Sequence, residues 1–298
     1  MVADRPRREA GLSYNDAQQL RRDVMPYVMA NGYRHWYQIT GEGEPVVQVH
    51  GAALGHYNFM KVTPIISQHF KVYDYDMIGY HNSEKPQGVQ FTLEWWADDL
   101  AAMMDALELE KAHIHATSFG AMIGVIFAAK YPEKTHTLVA GCFMTRYDEA
   151  ARMRVRIFQR LARSAGMVKE LAEAIALYAF TRPYLESEEG KKDLEWCTRY
   201  WLDNTPEQFA AGFEAMMHAD LEPYLSQIKA PTLLQVGEQD DMTPLDAGPS
   251  GFGMRRASQT IPNARLHIIP NCRHLHIVER PVETAAEVIA FFKQHPMR

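Results

Sequence analysis

Cysteine is scarce in this 298-residue chain: Cys142, Cys197 and Cys272 are all it has, and no two form a CxxC pair. Three scattered thiols cannot build a disulfide framework, so a reducing, cytoplasmic setting is expected. Long apolar runs are missing too. No stretch reaches the roughly 18 uninterrupted apolar residues of a membrane helix. The N-terminal MVADRPRREAGLSYNDAQQLRR has no apolar core of the kind a signal peptide carries. Basic charge is not in excess, since 31 Lys and Arg stand against 37 Asp and Glu, for a formal net charge of -6. Neither nucleic acid nor a membrane is therefore expected as a partner. No glycine-rich dinucleotide loop follows the first strand-like run, and no organic cofactor is expected.

What is present reads as a folded globular chain, with 47% apolar and 23% charged residues. The first 25 or so residues are charged and irregular, an extension expected to drape on the main body. From there the pattern alternates. YRHWYQI (33–39), PVVQVHG (45–51) and FKVYDYD (70–76) predict strands, with a helix-capable stretch at 56–67 between the last two. TLEWWADDLAAMMDALEL (92–109) has apolar residues at helical spacing and opens on Thr92, a capping residue type. KAHIHAT predicts a strand, FGAMIGVIFAAK a helix stopped by Pro132, and THTLVAGCF (135–143) a further strand. Strand–helix alternation implies an α/β fold with a mostly parallel central sheet flanked by helices.

The period changes over residues 147–226, which contain several helical stretches and no convincing strand. Alternation resumes with APTLLQVGEQD (230–240), ARLHIIP (264–270) and a final helix at 283–294. One domain spanning 1–298 with an inserted helical cap at 147–226 is the expected organisation. Trp196, Tyr200 and Trp201 give the cap an aromatic patch able to cover a site on the sheet.

HATSFGA (115–121) lies where a predicted strand meets a predicted helix. Ser118 could simply cap that helix, because a serine oxygen accepts an otherwise unpaired backbone N–H. It could also be a nucleophile on a tight strand-to-helix turn, which demands small residues two before and two after; here they are Ala116 and Gly120. A nucleophilic serine needs an imidazole base, and the base needs a carboxylate to hold its tautomer. Asp240 follows the strand TLLQV and His274 follows RLHIIP, so both fall at the sheet edge where Ser118 lies.

Five ordered segments carry a family resemblance: VQVHGAA (47–53), DMIGYHNSEKP (76–86), ATSFGA (116–121), PTLLQVGEQDDMTP (231–244) and NCRHLHIVERP (271–281). The chain resembles the α/β-hydrolase fold superfamily from about residue 33 to 294, as a serine hydrolase with a helical cap. The resemblance implies Ser118 as nucleophile, His274 as general base and then acid, and Asp240 as the residue orienting it. It also implies an oxyanion hole made by the backbone N–H groups of Ala52 and Phe119, each such donor being worth about 3 kcal/mol in the transition state. His50 would brace the oxyanion loop. Asp241 and His276 are the rival acid and base, disfavoured by the spacing to Pro244 and to Glu279 and Pro281. An acid after the preceding strand would have to be Asp148. The His113-x-His115 pair lacks the continuation of a metallo-hydrolase, and no metal is expected.

Two positions depart from the family pattern. His81 stands where a glycine is usual, and Arg273 precedes His274 in place of another. Each is expected either to face solvent or to line the site mouth and favour an anionic substrate. His56, Arg146, Arg152 and Arg156 are further polar candidates. The insert followed by HADLEPYLSQIKAPTLLQVGE loosely resembles small bacterial enol-lactone and aminoacrylate hydrolases and meta-cleavage-product hydrolases. A small-molecule carboxylic ester or lactone is the expected substrate, cleaved through an acyl-enzyme. The alternative is a C–C bond hydrolase acting on a vinylogous diketone, against which the loop GAALGHY lacks the expected glycine- and proline-rich extension. A non-catalytic receptor with an intact triad is the third reading. Association into a homo-oligomer through the cap or last helix is compatible with the composition.

Overall fold

The computed structural model describes residues 27–297, so the N-terminal extension lies outside the described residues. Eight strands form one sheet: β1 (Tyr27–Ala30), β2 (Tyr33–Thr40), β3 (Pro45–Val49), β4 (Lys71–Tyr75), β5 (Ala112–Thr117), β6 (Thr135–Gly141), β7 (Thr232–Gly237) and β8 (Ala264–Ile269). Their spatial order is β1-β2-β4-β3-β5-β6-β7-β8. β2 pairs antiparallel with β1 and with β4, and every later pairing is parallel. The expected mostly parallel sheet is therefore present. β1 has no counterpart among the expected strands.

The helices of eleven residues or more are α1 (Leu93–Ala106), α2 (Phe119–Lys130), α3 (Glu149–Ala165), α4 (Lys169–Ala179), α5 (Glu188–Leu202), α6 (Pro206–His218) and α7 (Pro281–Gln294). Thr92 caps α1 as expected, its side chain accepting from the Trp95 N–H at 3.1 Å. α2 ends at Lys130, just before Pro132, because proline cannot donate to the ladder. The stretch 56–67 is not one helix; it holds a 3-10 turn at Gly55–Phe59 and a four-residue helix at Thr63–Ile66. None of the described helices is long and apolar enough to cross a membrane.

Every residue of β5 and of β7 is buried, and of α2 only the last two are not, so the middle of the sheet is covered on both faces. That burial fixes strand register, since a one-residue slip would turn each side chain to the opposite face. Because β3, β5, β6, β7 and β8 run parallel, the loops after them gather at one edge. Helices α3 to α6 lie between β6 and β7 in the chain and supply the wall above that edge.

The turn from β5 into α2 depends on Gly120. A Cβ there would stand 2.1 Å from the Val49 oxygen and 2.4 Å from the His50 oxygen. We expect Gly120→Ala to cost about 3 kcal/mol, seen as a fall of several degrees in the melting temperature. An unchanged melting curve would mean the loop after β3 can back away from the turn.

Candidate active site

Ser118 does not cap α2. It sits at φ 53° and ψ -120°, with no hydrogen bond from its side chain to the helix N-terminus. A non-glycine residue at positive φ is costly and persists only where its surroundings hold it. Here the Ser118 N–H donates to the Gly141 oxygen at 2.7 Å, and the Ser118 oxygen accepts from the Ala121 and Met122 N–H groups. The hydroxyl is left free for another partner. His274 Nε2 lies 2.9 Å from Ser118 Oγ, across 156 residues of chain.

The other face of the same imidazole meets Asp240, with Nδ1 at 3.0 Å from Oδ2. Asp240 is buried and its remaining acceptor capacity is filled. Oδ1 accepts from the Met242 and Thr243 N–H groups at 2.8 and 2.9 Å, and Oδ2 accepts from Thr243 Oγ1 at 2.8 Å. Burial opposes ionisation of this carboxyl. The His274 imidazole and the Thr243 donors outweigh it, and the carboxyl is held below its ordinary range. An ionised Asp240 then selects the tautomer with the proton on Nδ1, leaving Nε2 free to accept from the serine.

The rivals lie elsewhere. The Asp241 side chain is 70% exposed and faces Arg273 at 3.5 Å. His276 is buried beside Gly141, its Nδ1 3.4 Å from Thr284 Oγ1, and its Nε2 has no hydrogen-bond partner among the described residues. Burial first, then the neighbouring His115 and His274, push its pKa down to about 3. Asp148 caps α3 by accepting from the Ala151 N–H at 2.9 Å. His113 and His115 have separate partners. His113 pairs with Thr137 and Glu44, and His115 with Gln48.

The loop after β3 brings Ala52 beside Ser118. Its own geometry is held by His50, whose Nε2 accepts from the Met77 N–H at 2.9 Å and whose Nδ1 therefore donates to the Gly51 oxygen at 2.7 Å. Burial keeps this ring neutral, lowering its pKa to about 4. Asn58 Oδ1 accepts the Gly51 N–H at 2.8 Å. The Ala52 N–H has no acceptor among the described residues. Phe119 is the first residue of α2, so its N–H has no intrahelical partner either.

Above these groups lies a cleft walled by apolar side chains of the inserted helices, among them Val155, Phe158, Ile175, Trp201, Phe213 and Met216. Of the aromatic trio expected there, Trp201 lines the cleft, Tyr200 stacks on Tyr57 at 3.5 Å, and Trp196 donates to Asp193.

The polar candidates sort differently from expectation. Arg273 reaches neither solvent alone nor the cleft wall; its guanidinium donates to the Leu177 oxygen of α4 and pairs with Asp241. His81 is 2% exposed and turns inward to the Ala53 oxygen. His56 is sandwiched by Trp36 and Tyr57 and bonds Asp76 at 2.8 Å. Arg146 pairs with Asp220 and Arg156 with Glu149, while Arg152 is not among the residues lining the cleft.

The arginine that does line the cleft is Arg154, missed in the sequence. Its guanidinium donates to the Asp241 and Met242 oxygens at 3.3 and 2.5 Å, crossing from α3 to the loop after β7. A signal for it existed. The buried positions of α3 include Ala151, Val155 and Phe158, and residue 154 falls three after the first and four before the last, on the same face. Asn58 was missed as well. It is buried against the cleft, and its Nδ2 makes no hydrogen bond among the described residues.

The same fold is found in known proteins. A family model described as the alpha/beta hydrolase fold matches residues 44–281. A 2-hydroxy-6-oxo-2,4-heptadienoate hydrolase of Pseudomonas putida is 26% identical over 85% of this chain and 90% of its own. A 2-hydroxymuconate semialdehyde hydrolase of a Pseudomonas strain is 26% identical over 94% of this chain and 97% of its own. Among solved structures, the enol-lactonase from Burkholderia xenovorans superimposes with a TM-score of 0.79 at 27% identity, covering 89% of this chain and 99% of that one.

Proposed function

The chain belongs to the alpha/beta hydrolase fold family, and from that premise we propose that it is a serine-dependent hydrolase of a small conjugated carbonyl compound, cleaving a C–C bond of a 2-hydroxy-6-oxo-dienoate-like acid. The observation that carries the serine chemistry is the unbroken chain of contacts from Asp240 through His274 to Ser118 Oγ. His274 Nε2 takes the Ser118 proton as the oxygen adds to the ketone carbon. Negative charge on the former carbonyl oxygen is met by the Ala52 and Phe119 N–H groups, neither of which has an acceptor of its own among the described residues. The dienol ketonises before this attack, O2 losing its proton and C5 gaining one, so that the C5–C6 bond adjoins a 2-oxo-3-enoate; that bond then breaks, and its electron pair is delocalised into the enone. His274 returns the proton to the departing fragment, the acyl group stays on Ser118, and water repeats the sequence to release it.

Two of the similar proteins are named for hydrolysis of such dienoates or semialdehydes, and this supports C–C cleavage over the simple ester or lactone first expected. Arg154 supports an acidic substrate, since it brings a permanent positive charge to a cleft whose walls are mostly apolar. The second reading, lactone hydrolysis, is favoured by the similarity to the enol-lactonase and by the short loop GAALGHY after β3. Both reactions use Ser118, His274 and Asp240; C–C cleavage also needs the prior ketonisation and has a carbon leaving group.

Turnover of a panel separates them: 2-hydroxy-6-oxo-dienoates, enol-lactones, saturated lactones and aryl acetates, each with a Ser118→Ala control. The proposal expects the dienoates to give the highest kcat/KM. Cleavage of lactones with the dienoates left intact would overturn it. In the same assays Arg154→Met should raise KM for carboxylate substrates by about 10- to 100-fold, the worth of a charged hydrogen bond. KM for a neutral aryl acetate should stay within about twofold, since that substrate offers no anion to a charged donor. Equal effects on both substrates would mean Arg154 only ties α3 to the Met242 loop.

A further inference from the structure

Ala53 follows the Ala52 amide and is itself strained, at φ 69° without being glycine. Its oxygen accepts two hydrogen bonds from distant parts of the chain. His81 Nε2 donates at 3.0 Å, and Asn204 Nδ2 donates at 2.8 Å. Asn204 lies between α5 and α6 in the inserted helices, 151 residues away, and is 6% exposed. His81, at φ 35°, has its Nδ1 3.6 Å from the Asp203 carboxylate, too far for a hydrogen bond, so among the described residues the Ala53 oxygen is the ring's one hydrogen-bond partner. Gly55 makes room for this ring: a Cβ there would stand 2.3 Å from His81 Cδ2.

The Ala52 N–H belongs to the Gly51–Ala52 peptide, and the loop carrying it is anchored on both sides. Upstream, His50 and Asn58 hold Gly51. Downstream, the only side-chain donors to Ala53 among the described residues are His81 and Asn204. An unsupported residue at positive φ would relax toward the β or α region and swing the Ala52–Ala53 peptide, pulling through Ala52 on the Gly51–Ala52 peptide next to it. We infer that Asn204 and His81 are positioning residues that hold the Ala52 N–H on the reacting oxygen, so that the inserted helices complete the oxyanion hole through Asn204. The inference rests on the Ser118 reading above.

Asn204 also bonds the Tyr200 and Trp201 oxygens at 3.1 Å, which is a plain end-cap for α5. A capping role alone would move stability and leave the chemistry untouched, so the test reads both. Asn204→Ala, Asn204→Asp and His81→Ala are compared with the wild type by melting temperature, by kcat and KM for an aryl acetate, and by affinity for an aryl boronic acid, whose adduct with a serine places an oxygen in the oxyanion hole. Positioning predicts kcat lower by about tenfold or more with KM within about twofold, and boronate affinity lower by the same factor as kcat. Asn204→Asp should be the weakest, because it sets a carboxylate against the Ala53 oxygen. A folded Asn204→Ala with unchanged kcat and boronate affinity overturns the inference, as does a rise in KM alone. If Asn204→Ala does not fold, His81→Ala decides by the same readouts. A wild type inert to both probes would overturn the Ser118 reading itself, and the inference with it.

Discussion

Replacing Ser118 with alanine is expected to lower kcat by on the order of 10⁵-fold, with the fold intact. The side chain contributes nothing to capping α2, and the Ser118 backbone bonds to Gly141, Ala121 and Met122 survive the change. Alanine therefore removes the hydroxyl and little else. Melting temperature should shift by no more than a few degrees, and steady-state turnover of any accepted substrate should fall to the residual level that binding and the oxyanion donors sustain. A variant retaining a tenth of wild-type activity would mean that water, activated by His274 directly, is the attacking group. Asp240→Asn should follow with a loss of about 10⁴-fold, because an amide can stabilise the wrong tautomer of His274.

The second large effect is loss of stability in mild acid. His50, His115 and His276 are fully buried, and burial lowers their pKa values to about 4, about 3 and about 3. In the unfolded chain each should titrate near its ordinary value of about 6.5. A folded value below the unfolded one means that the unfolded state binds protons first as pH falls. The stabilisation is therefore complete above about pH 6.5 and is lost on the way down to the folded values. At pH 5 each ring costs about 2 kcal/mol, so the three together remove about 6 kcal/mol, comparable with the whole stability of many domains. Asp240 has the same sign in a lower window: its depressed carboxyl stabilises above its unfolded value of about 3.9 and loses that contribution as pH falls further. Urea melts at pH 7.5, 6 and 5 check this, with the midpoint expected to hold above pH 6.5 and fall steeply below 6. A flat profile would mean that these rings pick up protons in the folded protein.

Local pattern was enough for most of the sheet, because β3, β5 and β7 are buried in the middle of the sheet and read as short apolar runs bounded by turn residues. It was also enough to bring Ser118, Asp240 and His274 to one edge, since each lies in the segment that follows a strand of the parallel set. β1 was not legible: YVMA is four residues long and pairs only with β2, too short for alternation to register. Arg152 and Arg156 are four apart in the sequence, whereas Arg154 holds the cleft-facing side of α3, a distinction set by which stripe of the helix packs down. His81 was read as a substitution in a turn, and its inward aim depends on the space left by Gly55. Asn204 sits before the Thr205–Gln208 capping box and looks like turn material. Its contact with Ala53 exists only once the inserted helices are seated, and no local pattern encodes that.

Mass spectrometry after treatment with an aryl fluorophosphonate reaches the central claim most directly. The account predicts one phosphonyl group per chain, carried on the peptide containing Ser118, with labelling slowed by on the order of 10³-fold or more in His274→Ala. No adduct at all, or an adduct on a different residue with Ser118 unmodified, would contradict it.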